Sequence, residues 1–377
     1  MKPLFLFGTL RHAALLAVVS GQEALPVTPV TLEGYATLHA VAPDGAVQNF
    51  PLITPRPGAQ AEGVLINPGA EARARLDSYE HAFGYDTGPV TIQTSQGPVE
   101  AEVYLPQAGL WQGGQPWSLA DWAAAHGPLI VETAAEVMAL LPHTPPDAVM
   151  SRYRMLQMRV TSRARARVQI APATLRRASQ PDDVAVDDHR APYARYFGVD
   201  EADLRFRRFN GEMSEQVKRA AFVMSDAVTV LPYDPLRDCV MVVEQFRYGP
   251  MARGDLNPWS LEPIAGRIDP GETPEQALRR ETREEAGLEL RSLLPVGGYY
   301  PSPGAVSEYL YSYIGLARLT ADEEGVSGLE SEAEDIRAHV IAFDRLMALV
   351  DSGEVQNAPL LLSAHWLARH RDGLRGA

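Results

Sequence analysis

The 377-residue chain has a single cysteine, Cys239. One thiol excludes an internal disulfide framework and a cysteine-based zinc cage, and it fits a reducing, cytoplasmic compartment. No apolar run approaches the ~18 residues that span a bilayer. Positive charge is short: the formal net charge is −14. That balance argues against a broad duplex-binding face, which needs clustered cations to neutralise phosphates. It leaves phosphorylated small molecules open, because a divalent cation can bridge carboxylate and phosphate. Disorder is excluded by a hydrophobic fraction of 46% against 22% charged residues. No internal repeat is found. Met1-Lys2 and the apolar residues Leu4–Phe7 and Ala13–Val19 superficially suggest a secretory leader, but Arg11-His12 splits them and no small-residue cleavage site follows, so the expectation is folded protein.

Three textures follow one another. Residues 1–145 are rich in Gly, Pro and short β-type runs, namely Pro3–Phe7, Val64–Ile66, Val90–Gln93 and Glu100–Leu105, and close on a helical pattern with Leu129, Ile130, Ala134, Val137 and Leu140/Leu141 on one face. Residues 146–190 are first basic (Arg152 to Arg177) and then acidic (Asp182, Asp183, Asp187, Asp188). Nucleic-acid binding is one reading of the arginines; a solvated connector or helix face pairing with the acidic remainder fits the overall charge better. Residues 191–377 alternate strands and helices: strands at Ala227–Pro232, Cys239–Gln245, Tyr309–Leu316 and Ala338–Phe343, a turn at Pro235–Asp238, a helix at Pro274–Ala286 stopped by Gly287, and two closing helices.

The densest chemical signal runs from Gly266 to Leu288. Gly266 is followed after five residues by Glu272 and after seven more by Arg280-Glu281-Thr282-Arg283-Glu284-Glu285-Ala286-Gly287-Leu288. Residues three and four apart share a helix face, so Glu281, Glu284 and Glu285 cluster. Like charges at that spacing repel, and a hard divalent cation with oxygen ligands supplies the reason to keep them. Glu272 can reach back to the glycine loop, and Arg280 can order the carboxylates through its planar fork.

This stretch resembles the Nudix box, G-x5-E-x7-R-E-U-x-E-E-x-G-U with U a bulky aliphatic; Thr282 at the first U is the one departure, and it touches packing rather than metal binding. Glu244–Arg247, Trp259, Leu261-Glu262, Ala265-Gly266, Ser302-Pro303-Gly304 and Ser307-Glu308 extend the likeness to ADP-ribose pyrophosphatases, with Pro303 sixteen positions beyond Gly287 as the mark of that subgroup. Phe209–Gly211, Ser214, Arg219, the Glu332–Ile336 stretch and Asn357-Ala358 look like further parts of the same family. The resemblance implies an α/β/α Nudix sandwich that is usually homodimeric. It also implies Mg²⁺-dependent hydrolysis of ADP-ribose to AMP and ribose 5-phosphate, with Mn²⁺ able to substitute. Glu281 and Glu285 would be the main metal ligands, with Glu284, the Ala265 carbonyl and Glu334 assisting. Glu332 would be the base, Arg247 and Arg219 the phosphate clamp, Glu308 the ribose contact, and Tyr196 or Phe197 a stacking surface. GDP-mannose pyrophosphatases carry the same box, so another nucleotide sugar is the alternative substrate; a non-catalytic ADP-ribose sensor is the rival class. Neither nucleic acid nor a membrane is expected as a partner.

In front, Phe5-Leu6-Phe7-Gly8-Thr9-Leu10-Arg11 reads as strand, glycine turn and helix start, with Thr9 able to cap the helix and its N–H groups able to hold an anion. With Leu32–Tyr35, Glu62–Leu65 and Leu76–Glu80 it resembles the γ-glutamylcyclotransferase-like fold, a small β-barrel. The resemblance assigns Glu80 as a general acid/base and Gly8 and Thr9 as substrate-binding residues. Phe7 in place of Tyr and His81 in place of Gly depart from it, so a cyclotransferase and a docking module both stand. The overall expectation is an α+β two-domain chain: residues 1–145, a connector over 146–190, and 191–377. Since every Nudix motif lies beyond it, Arg190 is expected to be a sufficient start for the second domain.

Overall fold

The computed structural model describes residues 2–194, 197–320, 325–327 and 335–375. It divides into two compact units, Met1–Val160 and Thr161–Ala377. No helix among the described residues is long and apolar enough to cross a membrane.

The first unit runs β1 (Leu4–Leu6), a 3₁₀ turn (Thr9–Arg11), α1 (Ala13–Ser20), β2 (Val27–Val41), β3 (Val47–Ile66), α2 (Ala70–Ala82), β4 (Tyr85–Thr94), β5 (Gly97–Pro106), β6 (Gln112–Pro116), α3 (Leu119–Ala125), α4 (Gly127–Leu140), α5 (Pro146–Met150) and α6 (Tyr153–Val168). Its sheet order is β4-β5-β1-β3-β2-β6, with β1 antiparallel to β3 and parallel to β5. Alternation along β1 sends Leu4 and Leu6 to the helix-covered core with Leu15, Leu76 and Val137, and Phe5 and Phe7 to a second core with Leu32, Ile53 and Ile92. β4 and β6 end the order without pairing with each other, so the expected barrel is a curled half-barrel. Three of the four expected strands fall within strands, and the fourth, Pro3–Phe7, overruns β1 by one residue at each end. The lengths of β2 and β3 were not legible, because their prolines and glycines read as breaks; Gly34, at φ 78°, instead sits in an irregularity of the β2–β3 register.

The stretch expected as a connector is structured in its first half: α5 and α6 occupy it, burying Val149, Leu156 and Val160, and the boundary between the two units falls inside α6.

After the last turns of α6, the second unit continues with the meander β7 (Val184–Ala194), β8 (Gly198–Phe206) and β9 (Val217–Val223). Then follow β10 (Ala227–Asp234), β11 (Cys239–Phe246), α7 (Tyr248–Arg253), β12 (Trp259–Glu262), β13 (Ile264–Arg267), α8 (Pro274–Ala286), β14 (Ser292–Tyr299), β15 (Leu310–Leu316), β16 (Gly325–Ser327), β17 (Ile336–Ala342), α9 (Phe343–Ser352) and α10 (Ala358–Arg375). The mixed sheet has the order β14-β15-β10-β11-β17-β16, with β12 on β11 and β13 on β10. Val228 and Val230 of β10 face Ala277 and Leu278 of α8; Leu231 and Tyr233 face Leu346 of α9 and Leu360 and Leu367 of α10. A sheet buried on both faces explains the near-continuous apolar run in β10 and gives helix/sheet/helix layering.

Candidate functional site

The box helix α8 is built by its own ends. Thr273 Oγ1 accepts from Gln276 N (3.2 Å) and Gln276 Oε1 from Thr273 N (2.9 Å), Pro274 occupies the first turn, and Gly287 closes the helix at φ 63°. Ala277, Leu278, Thr282 and Glu285 form its buried side. Thr282 is fully buried with its hydroxyl donating to Leu278 O at 2.7 Å, so the polar departure from the aliphatic pattern is satisfied locally.

Arg280 organises the carboxylates. Its Nε and Nη2 each meet a Glu272 oxygen at 2.9 Å, Nη1 reaches Glu281 (2.7 Å) and Glu284 (3.1 Å), and Nη2 also donates to Arg267 O (3.0 Å). Glu272 reaches back to accept from Asp269 N at 3.1 Å. Gly266 lies directly under Glu281: a Cβ there would stand 1.9 Å from Glu281 Cδ. Only a residue without a side chain lets that carboxylate lie against β13. Among the described residues no three His, Cys, Asp or Glu side chains converge as a ready metal cage. The donors nonetheless suit a hard cation in kind: three carboxylates on successive turns, the backbone carbonyl of Ala265, and a cradle at Gly266 that holds one carboxylate in place.

Around this helix, Arg247 is locked as a fork onto Glu262 (3.1 and 2.9 Å), a carboxylate only 6% exposed. Glu308 is half-buried; burial raises its proton affinity, Asp226 adds to the rise, and Arg267 and Arg247 oppose it. Glu308, Arg247 and the box loop are therefore near one another. Arg219 is exposed on β9 and donates to Lys218 O. Phe197 meets Phe222 edge-on at 6.4 Å, and Ser307 N bonds Phe222 O (2.9 Å), which ties β9 to the segment before Glu308. Tyr196, Glu332 and Glu334 lie outside the described residues. Sequence reasoning passed over Asp226, a buried acid paired with Arg165; nothing local distinguishes it from an ordinary strand-start aspartate.

In the first unit, Gly8, Thr9 and Glu80 line one cavity of about 80 Å³ with Phe7, Phe50, Tyr79, Phe83, Tyr85, Tyr104, Trp122 and Tyr153. Burial pushes the Glu80 carboxyl up to about 8. One expectation is corrected. Thr9 caps no helix: it opens a 3₁₀ turn, and extended His12 delays α1 to Ala13. His81 does not line the cavity; it is exposed and pairs with Asp86 at 3.2 Å. The aromatic wall, drawn from six separate stretches of chain, carried no local signal.

A family model of the NUDIX domain matches residues 224–362, and one of the AIG2-like gamma-glutamyl cyclotransferases matches residues 4–124. The chain is 37% identical over 194 residues to an ADP-ribose pyrophosphatase of Escherichia coli K12, covering 52% of this chain and 92% of the relative. An ADP-ribose pyrophosphatase of Haemophilus influenzae is 30% identical over 187 residues, 49% of this chain and 86% of the relative. A GDP-mannose pyrophosphatase of Enterobacter sp. is 28% identical over 172 residues, 46% of this chain and 88% of the relative. With the box glutamates Glu281, Glu284 and Glu285 gathered on one capped helix and these likenesses beside them, the chain belongs to the Nudix hydrolases, and its first unit is similar to the AIG2-like gamma-glutamyl cyclotransferases.

Proposed function

We propose that the second unit hydrolyses the pyrophosphate bond of ADP-ribose to AMP and ribose 5-phosphate, with Mg²⁺ or Mn²⁺ as cofactor. The observation that carries this reading is the carboxylate set on α8, ordered by Arg280 over the Gly266 cradle. Glu281, Glu284, Glu285 and the Ala265 carbonyl would hold the cation, and Glu334 would join them. When bound, the cation supplies charge neutralisation of the pyrophosphate and a more acidic water. Arg247, held in place by Glu262, orients phosphate oxygens, and Arg219 adds a second positive charge. Glu308 receives ribose hydroxyls, Phe197 or Tyr196 offers a face to the base, and Glu332 takes the proton of the attacking water. Exposed Val184, Val186, Phe206 and Phe222 on the β7–β9 meander support a homodimer joined through that sheet. Cys239, buried and in no disulfide, supports a cytoplasmic setting.

The test is a panel of nucleotide sugars with Mg²⁺ or Mn²⁺, scoring nucleoside monophosphate release. ADP-ribose is expected to give the highest kcat/KM. A clear preference for GDP-mannose would move the assignment to the second nucleotide-sugar reading, which the Enterobacter likeness supports.

For the first unit the cavity supports a γ-glutamyl cyclotransferase. In that reaction the substrate's α-amine attacks its own γ-carbonyl, 5-oxoproline forms and an amine departs. Glu80, raised to about 8, is suited to take the proton from the attacking amine and return it to the leaving one. The Gly8–Thr9 turn faces the same space. Release of 5-oxoproline from a γ-glutamyl amine panel, stopped by Glu80→Gln, is the expected result; no turnover across the panel would leave a docking module.

A further inference from the structure

The stretch Ser162–Gln169 precedes every Nudix motif and lies outside the residues matched by the NUDIX family, yet it bonds to the frame of the candidate site. Asp226 N donates to Ser162 Oγ at 2.8 Å, and Arg165 Nε donates to the Asp226 carboxylate at 2.9 Å. Arg165 Nη2 also reaches Ser162 Oγ (3.3 Å), so the two side chains act on Asp226 together. One helical turn on, Gln169 Oε1 accepts from Tyr311 OH at 2.6 Å.

Asp226 is the junction of two site-bearing segments. Its carbonyl accepts from Ile268 N (3.2 Å), and its neighbour Ala227 pairs with Arg267 and donates to Tyr309 O (3.0 Å). Arg267 O is a partner of Arg280, and Tyr309 follows Glu308. A displacement of Asp226 is thereby carried to the box loop on one side and to the Glu308 edge on the other. Asp226 is 5% exposed, and burying a charge pair is a poor way to add stability, since the desolvation of both ions offsets most of their attraction. What such an arrangement supplies is direction: Arg165 Nε fixes the Asp226 carboxylate while Ser162 Oγ, tied to Arg165 Nη2, fixes the Asp226 backbone N–H, so side chain and main chain of one residue are held together.

We propose that Arg165, with Ser162, is a positioning residue for the Nudix site, holding Asp226 and through it the Arg267–Ile268 loop and the Glu308–Tyr309 edge. The role rests on the pyrophosphatase reading for its catalytic consequence, but its geometry does not. In the full-length chain, Arg165→Gln, Asp226→Asn and the double variant are compared for ADP-ribose hydrolysis well below their melting midpoints. Arg165→Gln leaves a buried carboxylate alone and is expected to lower kcat/KM about 10-fold or more; the double variant, with two amides able to bond, is expected to recover most of that loss. A lowered midpoint with unchanged kcat/KM in Arg165→Gln would overturn the positioning role and leave a merely structural pair. Amide hydrogen exchange is the second measurement. Arg165→Gln should speed exchange at Ile268 and Ala227 while leaving β14 unchanged, and uniform or unchanged exchange would overturn the proposal. If the wild-type chain releases no AMP, the functional reading fails, and the exchange experiment still decides the positioning role.

Discussion

Gly266 shows how one residue's lack of a side chain becomes chemistry. Its backbone does not need the left-handed region, so Gly266→Ala is not barred by conformation; the obstacle is Glu281, whose carboxylate occupies the space of a methyl. Glu281 is flexible enough to swing aside, so we expect a melting midpoint within a few degrees of wild type but hydrolysis down about 10²-fold, because the displaced group is a proposed metal ligand. Steady-state kinetics beside calorimetry tests this; a large fall in midpoint with retained activity would mean the cradle is only packing. Glu80 illustrates burial acting on a charge. Its folded value is about 8 against an ordinary 4.5. Between those values the folded chain holds a proton that the unfolded chain has lost, so this group's contribution to stability declines as pH rises from about 5 to about 8, by something on the order of 4 kcal/mol at most. Glu80→Gln removes the titration. The variant should match wild type near pH 5 and melt higher at pH 8.5. Parallel midpoint curves would show that Glu80 titrates normally.

At the scale of the element, α8 depends on both its ends and its arginine. The capping box and Gly287 set its limits, and the amphipathic pattern turns Ala277, Leu278 and Thr282 to the sheet. Arg280 then engages three glutamates and the Arg267 carbonyl with one planar group. A lysine ammonium lacks the fork and cannot hold Glu272 bidentately while meeting Glu281 and Glu284. Arg280→Lys is therefore expected to lower kcat about 10-fold or more with little change in helix content. Circular dichroism and turnover measured on one sample decide it, and wild-type turnover would show that the glutamates order themselves. The helix limits Pro274–Ala286 were legible, with Gly287 as the stop, because capping is local chemistry; the Thr273–Gln276 capping box is seen in the structure. The partners of Arg280 were legible only in part: Glu284 follows from helical spacing, whereas the contact with its neighbour Glu281 does not, and Arg267 O comes from the β13 strand.

For the whole molecule, the position of the second unit's boundary matters most. Motif spacing points to Arg190 as a sufficient start, but the compact unit begins at Thr161, and Ser162, Arg165 and Gln169 bond to Asp226 and Tyr311 within it. A chain beginning at Arg190 leaves Asp226 without Arg165, and one beginning at Arg152 retains all of α6. We expect the longer form to have at least about 10-fold higher kcat/KM for ADP-ribose than the shorter. Equal values from two soluble forms would place the boundary back near Arg190.

Some of this protein is written in short stretches of chain. The box spacing, the caps of α8, the apolar run of β10 and the Gly8–Thr9 turn are each decided by residues within a few positions of one another, where periodicity and capping act, and from them the Nudix family and its carboxylate helix can be read. Tertiary structure alone decided the rest. It joined Glu80 to an aromatic wall containing Tyr153, left the six-stranded sheet a half-barrel, locked Arg247 onto Glu262, and set Arg165 against Asp226 across sixty-one positions. The physical reason is the same in each case: a buried charge or ring takes its partner from whatever the packed sheet brings beside it, and sheet order is set by long-range pairing that no local pattern encodes.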